Sequence, residues 1–178
     1  MQERGPVAAL SDRKDARASR FAGRQGTGRR LATTFLTAAV VVALDQVTKS
    51  IALAHLEQPR HLFGPFGLSL TFNSGAAFSL FTGSTAVIVV VALAVSALLG
   101  FIAARSSSTG LSVELGLILG GALGNLSDRL FRGHHGSVVD FITLTHWPTF
   151  NVADSCVTIG AVLLIVRSLR RAHPAEPS

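Results

Sequence analysis

The chain has 178 residues, 48% of them hydrophobic and 15% charged, with a formal net charge of +6 at pH 7 and a single cysteine. Its length leaves room for one domain, and its positive mean hydropathy excludes an ordinary soluble fold. One cysteine excludes a disulfide framework, so Cys156 reads as a small apolar residue, and no Cys/His spacing resembles a zinc site.

Residues 1–30 hold eight of the sixteen Lys and Arg residues and no periodic apolar pattern, which predicts a disordered basic cytoplasmic tail. The first apolar span follows, from Leu31 to about Ala54. Its basic flank, apolar run and Ala52-Leu53-Ala54 also imitate a cleaved signal peptide, but Asp45 and Lys49 interrupt the approach to that site. As one continuous helix, the span puts those two residues a turn apart on one face.

Between His55 and Ser84 lies a segment with strand character. Leu68, Leu70 and Phe72 alternate with Ser69, Thr71 and Asn73, and Asn73-Ser74-Gly75 supplies a turn. A second span, Thr85 to Ala104, has no charge at all. The third runs from Leu111 to Leu130 with Gly116, Gly120 and Gly124 at four-residue spacing, a stripe suited to close helix contact. Glu114 near its start is expected to snorkel to the cytoplasmic surface. The segment from Phe131 to Thr149 reads as a loop too short for a domain, with His134 and His135 as exposed loop residues. Phe150 to Val166 forms the fourth span, and 171–178 a cytoplasmic C-terminal tail.

A bilayer core of about 30 Å takes roughly 20 helical residues, so all four spans qualify. The expected fold is therefore an all-α membrane protein of four transmembrane helices, residues 31–170, with a small extracytoplasmic β segment between helices 1 and 2. Arg105, Arg167, Arg170, Arg171 and the basic tail mark the cytoplasmic side, so both termini lie inside. The basic excess is thus a topology signal with some attraction to lipid heads rather than a nucleic-acid surface.

That orientation places Asp128 in the last turn of the outgoing third helix and Asp154 in the first turn of the returning fourth, at one depth. Asn125, Asp128 and Arg129 cluster on one side of the third helix. Two adjacent carboxylates share a proton and can serve as base and acid toward a peptide bond, without metal or cofactor. Other readings stay open at this stage. Asn151 and Asp154 form something like a capping box, Asp128 and Arg129 a boundary charge pair, and Asp45 and Lys49 an i, i+4 ion pair. A proton or ion pathway is a competing function, but its groups would spread across the bilayer rather than gather at one face.

Five ordered motifs carry a family resemblance: Asp45-Gln46 with Lys49; Asn73-x-Gly75-Ala76-Ala77-Phe78; Gly124-Asn125-x-x-Asp128-Arg129; Val139-Asp140-Phe141; and Phe150-Asn151-x-Ala153-Asp154. Over about residues 31–170 the chain resembles the lipoprotein signal peptidases. The resemblance implies a bacterial cell-membrane aspartic endopeptidase with its site near the outer face. Its partners would be membrane lipids and diacylglyceryl-modified prolipoproteins, cleaved just before the lipidated cysteine. It implies Asp128 and Asp154 as catalytic, with Asp45, Lys49, Asn73, Gly75, Asn125, Arg129 and Asn151 binding or supporting. Asp140 matches the motif set too, and its expected loop position suggests scaffolding. The Asn73 to Phe78 segment is expected to hold substrate over the helices.

Overall fold

The structure is a computed structural model that describes residues 6–75, 90, 94–95, 97–98, 101–102, 105 and 108–172. In chain order the elements are α1 (Pro6–His55), β1 (Arg60–Phe63), β2 (Phe66–Asn73), α2 (Thr109–Phe131), β3 (Val138–Leu144), β4 (Trp147–Phe150) and α3 (Val152–Ala172). Among the described residues, three stretches are long and apolar enough to cross a membrane: Gly26–His55, Thr109–Phe131 and Val152–Arg170. These match the expected first, third and fourth spans. The expected second span, Thr85 to Ala104, falls largely outside the described residues, as do Ala76 to Phe78 and the end of the C-terminal tail.

Residues 6–30 differ from the expectation of disorder, since the backbone is helical from Pro6. Proline suits a first helical position, because the amide hydrogen it lacks would have no partner there. The Ala, Arg, Leu and Lys residues that follow favour a helix without needing an apolar face.

The glycine stripe of α2 does what its spacing predicts. A Cβ on Gly120 would stand 2.8 Å from the Ala38 carbonyl oxygen and 2.7 Å from Val41 Cβ, so α1 lies directly against it. On the other side of α2, a Cβ on Gly121 would meet the Ala153 carbonyl oxygen at 2.5 Å, and across the same contact one on Gly160 would meet that of Glu114 at 2.9 Å. Without side chains the helices approach to backbone contact, which dispersion rewards in a lipid solvent. Gly120→Ala is accordingly expected to destabilise the protein by about 1–3 kcal/mol through overpacking. Gly28→Ala, where nothing lies within 4 Å, should not lower the melting temperature in detergent. Equal melting behaviour of the two variants would contradict this packing.

Glu114 does not reach for the surface. It is buried, and Arg167 of α3 grips it through Nε at 2.7 and 2.9 Å and Nη2 at 2.6 Å. A buried carboxylate needs such a partner, and the bidentate pair fastens α2 to α3 at the end remote from the sheet. Meanwhile Phe35, Leu36, Val40 and Leu44 of α1, and Ile159, Val162 and Ile165 of α3, point outward as exposed apolar side chains. That is the reverse of a soluble protein and suits contact with lipid.

The strands form one antiparallel sheet in the order β1-β2-β3-β4. Only part of it was expected. β2 is the alternating segment, but β3 and β4 occupy the stretch read as a loop, and β2 pairs with β3 across the sequence gap between them. A register shift between Leu68 and Thr71 inserts a bulge. Leu68 and Leu70 pack on Ala52, Leu56 and Phe141, whereas Phe72, beyond the bulge, is exposed and lies against His134 at 4.6 Å between ring centroids. One extra residue changes the face on which later side chains emerge, so the simple period of two fails there.

Candidate active site

The sheet-side ends of α1 and α2, the start of α3 and the β2–β3 ladder converge on a cluster of buried polar groups. Asp45, Lys49, Asp128 and Asn151 are wholly buried, and Asp140 is 1% exposed. Burial of so many polar groups is tolerable only if nearly every one is paired.

The α1–α2 half is an ion network. Lys49 Nζ lies 2.8 Å from Asp45 Oδ2 and 2.8 Å from Asp128 Oδ2. Asp128 accepts three further hydrogen bonds, from Arg132 Nε at 2.9 Å, Gln46 Nε2 at 2.9 Å and the Val139 amide at 3.1 Å. Arg132 also reaches Gln46 Oε1 at 2.6 Å and Ser50 Oγ at 3.3 Å, stitching α2 to α1. Asp128 is therefore closed to solvent, saturated with donors and held by two cations. The roles of Arg132 and Gln46 escaped sequence reasoning, although Asp128 and Arg132 repeat the i, i+4 spacing of Asp45 and Lys49.

The second half centres on Asn151. Its Oδ1 accepts from the Asp154 amide at 2.9 Å while Asp154 Oδ2 accepts from the Asn151 amide at 3.2 Å, a reciprocal capping box at the start of α3. Asp45 adds a cap from another helix, since its Oδ1 accepts from the Ala153 amide at 3.0 Å. Asn151 Nδ2 then reaches Asp140 Oδ1 at 2.7 Å, so one asparagine holds both Asp140 and Asp154. The other oxygen of Asp154 accepts from Asn125 Nδ2 at 2.8 Å. The capping reading of Asp154 is correct as far as it goes, but it uses only one of the two carboxylate oxygens.

Asp140 lies in the middle of β3, paired with Thr71 of β2, and not in a loop. The run Val138-Val139-Asp140-Phe141-Ile142 is rich in β-branched residues between Gly136-Ser137 and Thr145-His146, a signal that could have found the strand. Asn73 Nδ2 donates to its Oδ2 at 3.0 Å. Gly75 takes a positive φ of 83° and donates its amide to Asn73 Oδ1 at 2.9 Å, which fixes the asparagine's donor end toward Asp140. Burial, aided by the nearby charge of Asp154 and opposed by the Asn73 and Asn151 amides, pushes the Asp140 carboxyl up from 3.8 to about 6. Arg129 donates from Nη1 to the Asn125 carbonyl at 3.4 Å, and its buried Nε has no partner among the described residues. Cys156 is a half-buried free thiol on α3.

The geometry thus links Asp154 to Asp140 through Asn151, and ties Asp128 to Lys49 and Arg132. Among the described residues no group of three His, Cys, Asp or Glu is placed to hold a metal ion.

Comparison with known proteins agrees in extent. A family profile described as Signal peptidase (SPase) II matches residues 37–170. A lipoprotein signal peptidase of Rhodococcus jostii (strain RHA1) is 44% identical over 154 residues, 83% of this chain and 78% of the relative. One from Mycobacterium avium (strain 104) is 46% identical over 147 residues, 79% of this chain and 81% of the relative. A bacterial membrane enzyme solved by the in meso method at 1.9 Å superposes with a TM-score of 0.71 at 30% identity, covering 78% of this chain and 94% of that one. With the profile reaching from the middle of α1 almost to the end of α3, this membrane-embedded chain belongs to the signal peptidase II family of aspartic peptidases.

Proposed function

We propose that Asp140 and Asp154 are the catalytic dyad and that Asp128, the partner expected from sequence, is a structural anchor. The observation that carries this is the bridging by Asn151, which hydrogen-bonds Asp140 through its side chain at 2.7 Å and Asp154 through its backbone at 3.2 Å. Two carboxylates so joined favour a state with one proton between them. Asp140, the more deeply buried of the two, is the natural holder of that proton. In this reading Asp154 takes a proton from a water as its oxygen attacks the scissile carbonyl. Asp140 protonates the carbonyl oxygen, and the resulting gem-diol collapses with protonation of the leaving amine.

The substrates are prolipoproteins carrying diacylglycerol on the cysteine that follows the scissile bond, delivered from the surrounding membrane lipid. The chain crosses the bacterial cell membrane four times, the stretch around 85–104 supplying the fourth helix. Both termini are cytoplasmic and the sheet is at the outer face. Support for this comes from the positions of Arg105, Arg167 and Arg170, all at the ends opposite the sheet. The test is release of signal peptide by the purified enzyme from a diacylglyceryl-modified precursor, set beside the same precursor unmodified. Equal cleavage of both would contradict the lipid requirement.

The pH dependence follows from Asp140. Its folded pKa of about 6 lies above the ordinary 3.8, so the stability it contributes is full below the ordinary value and is lost as pH rises through about 6. The same deprotonation removes the acid, and kcat/KM is expected to fall on the alkaline side of about pH 6 in the free enzyme. Asn73→Ala deletes a donor that favours the charged form and should move that limb to higher pH. A limb that stays put or moves down in this variant would count against Asp140 as the acid.

A further inference from the structure

Lys49 is wholly buried on α1 and has three N–H groups and no acceptor. Each N–H has one destination: Asp45 Oδ2 at 2.8 Å, Asp128 Oδ2 at 2.8 Å and Asn125 Oδ1 at 3.0 Å. The third contact decides how the Asn125 amide is turned. Its oxygen must face the ammonium, which leaves its Nδ2 facing Asp154 Oδ1 at 2.8 Å. The reversed amide would set an NH2 against a cation and an oxygen against a carboxylate, two repulsions in a water-poor site. Asn151 Nδ2 also donates to Asn125 Oδ1, at 3.1 Å, but it reaches Asp140 Oδ1 and the Val139 carbonyl as well, three acceptors for two hydrogens.

We propose that Lys49 is a positioning residue for the reaction, acting on Asp154 through the amide of Asn125, with Asp45 and Asp128 holding its ammonium in place. This rests on Asp154 being a member of the dyad. Lys49 itself stands one residue removed from the reacting atoms, and its charge is balanced locally by its two aspartates. What it supplies to Asp154 is a fixed donor at Oδ1, so that the carboxylate keeps one orientation.

The test separates charge from geometry. Lys49→Arg keeps the cation and leaves no carboxylate unpaired, but a planar guanidinium cannot direct single N–H bonds at the same three acceptors. The folded variant is expected to keep KM within about twofold and to lose kcat by about 10- to 100-fold. The double variant Lys49→Arg/Asn125→Ala should then turn over no more slowly than Asn125→Ala alone, because the arginine still supplies a cation to Asp45, which caps Ala153, so the Asn125 amide is the one link to Asp154 that the exchange breaks. If Lys49→Arg does not fold, the charge-balanced pair Lys49→Met/Asp45→Asn takes its place in the same cycle. Wild-type kcat in the lysine variant, or losses that multiply in the double variant, would overturn the proposal. Asp154→Asn in the same assay distinguishes the two levels: turnover there defeats the dyad itself, whereas an inactive Asp154→Asn beside multiplying losses defeats only the relay.

Discussion

Asp154→Asn and Asp140→Asn are each expected to lower turnover by at least about 10²- to 10⁴-fold without unfolding the protein. Asparagine preserves volume, and at position 154 it retains an acceptor for the Asn151 amide, so the capping box survives in outline and stability should change by about 1 kcal/mol or less. At position 140 one of the two asparagine donors, Asn73 or Asn151, meets an NH2 instead of an oxygen, yet the strand pairing with Thr71 is untouched. The measurement is signal-peptide release from a lipidated precursor, with thermal melting in detergent as the control for folding. Near-normal turnover in either folded variant would sink the aspartic mechanism built on this pair.

Asp128→Ala is expected to fail in a different way. Its carboxylate meets Lys49 and Arg132 and accepts from Gln46 and the Val139 amide, all without exposure to water. Removing it strands a buried ammonium beside a single remaining carboxylate, and breaking a buried pair from one side typically costs about 3–5 kcal/mol. That is a large share of the stability of any domain. The melting temperature should drop sharply, while kcat of the remaining folded fraction falls far less than in the Asp140 and Asp154 variants. A stable Asp128→Asn or Asp128→Ala enzyme as inactive as Asp154→Asn would return Asp128 to the dyad.

The contrast between Asp128 and Asp140 shows where sequence reading reached its limit. Hydropathy located three membrane-length stretches, though not the extension of α1 back to Pro6, because lipid imposes a length and an apolar composition that few other structures share. The stripe at Gly116, Gly120 and Gly124 was legible for the same reason, being a local pattern with one geometric use. Asn73, Asn125, Asn151 and Asp154 are expected together from the motifs, and the structure brings them into one hydrogen-bonded cluster. Depth in the membrane could be read along each helix, and it correctly set Asp128 and Asp154 at the same end. What could not be read was which partner each carboxylate meets. That depends on the rotation of α2 against α1, set by Gln46, Lys49 and Arg132, and on a strand pairing that spans more than sixty residues of chain. β3 was missed because its signal is β-branched composition between turn residues rather than an alternation of apolar and polar side chains.

The pairing of β2 with β3 has a consequence for the life of the molecule before it is an enzyme. Asn73 leaves the ribosome long before Asp140, and Asn151 and Asp154 emerge later still. A nascent chain inserted as far as α2 owns the anchoring network of Asp45, Lys49, Asp128 and Arg132, but neither acid of the proposed dyad. On the proposed dyad, proteolytic competence therefore waits for the last helix to be made and the ladder to close.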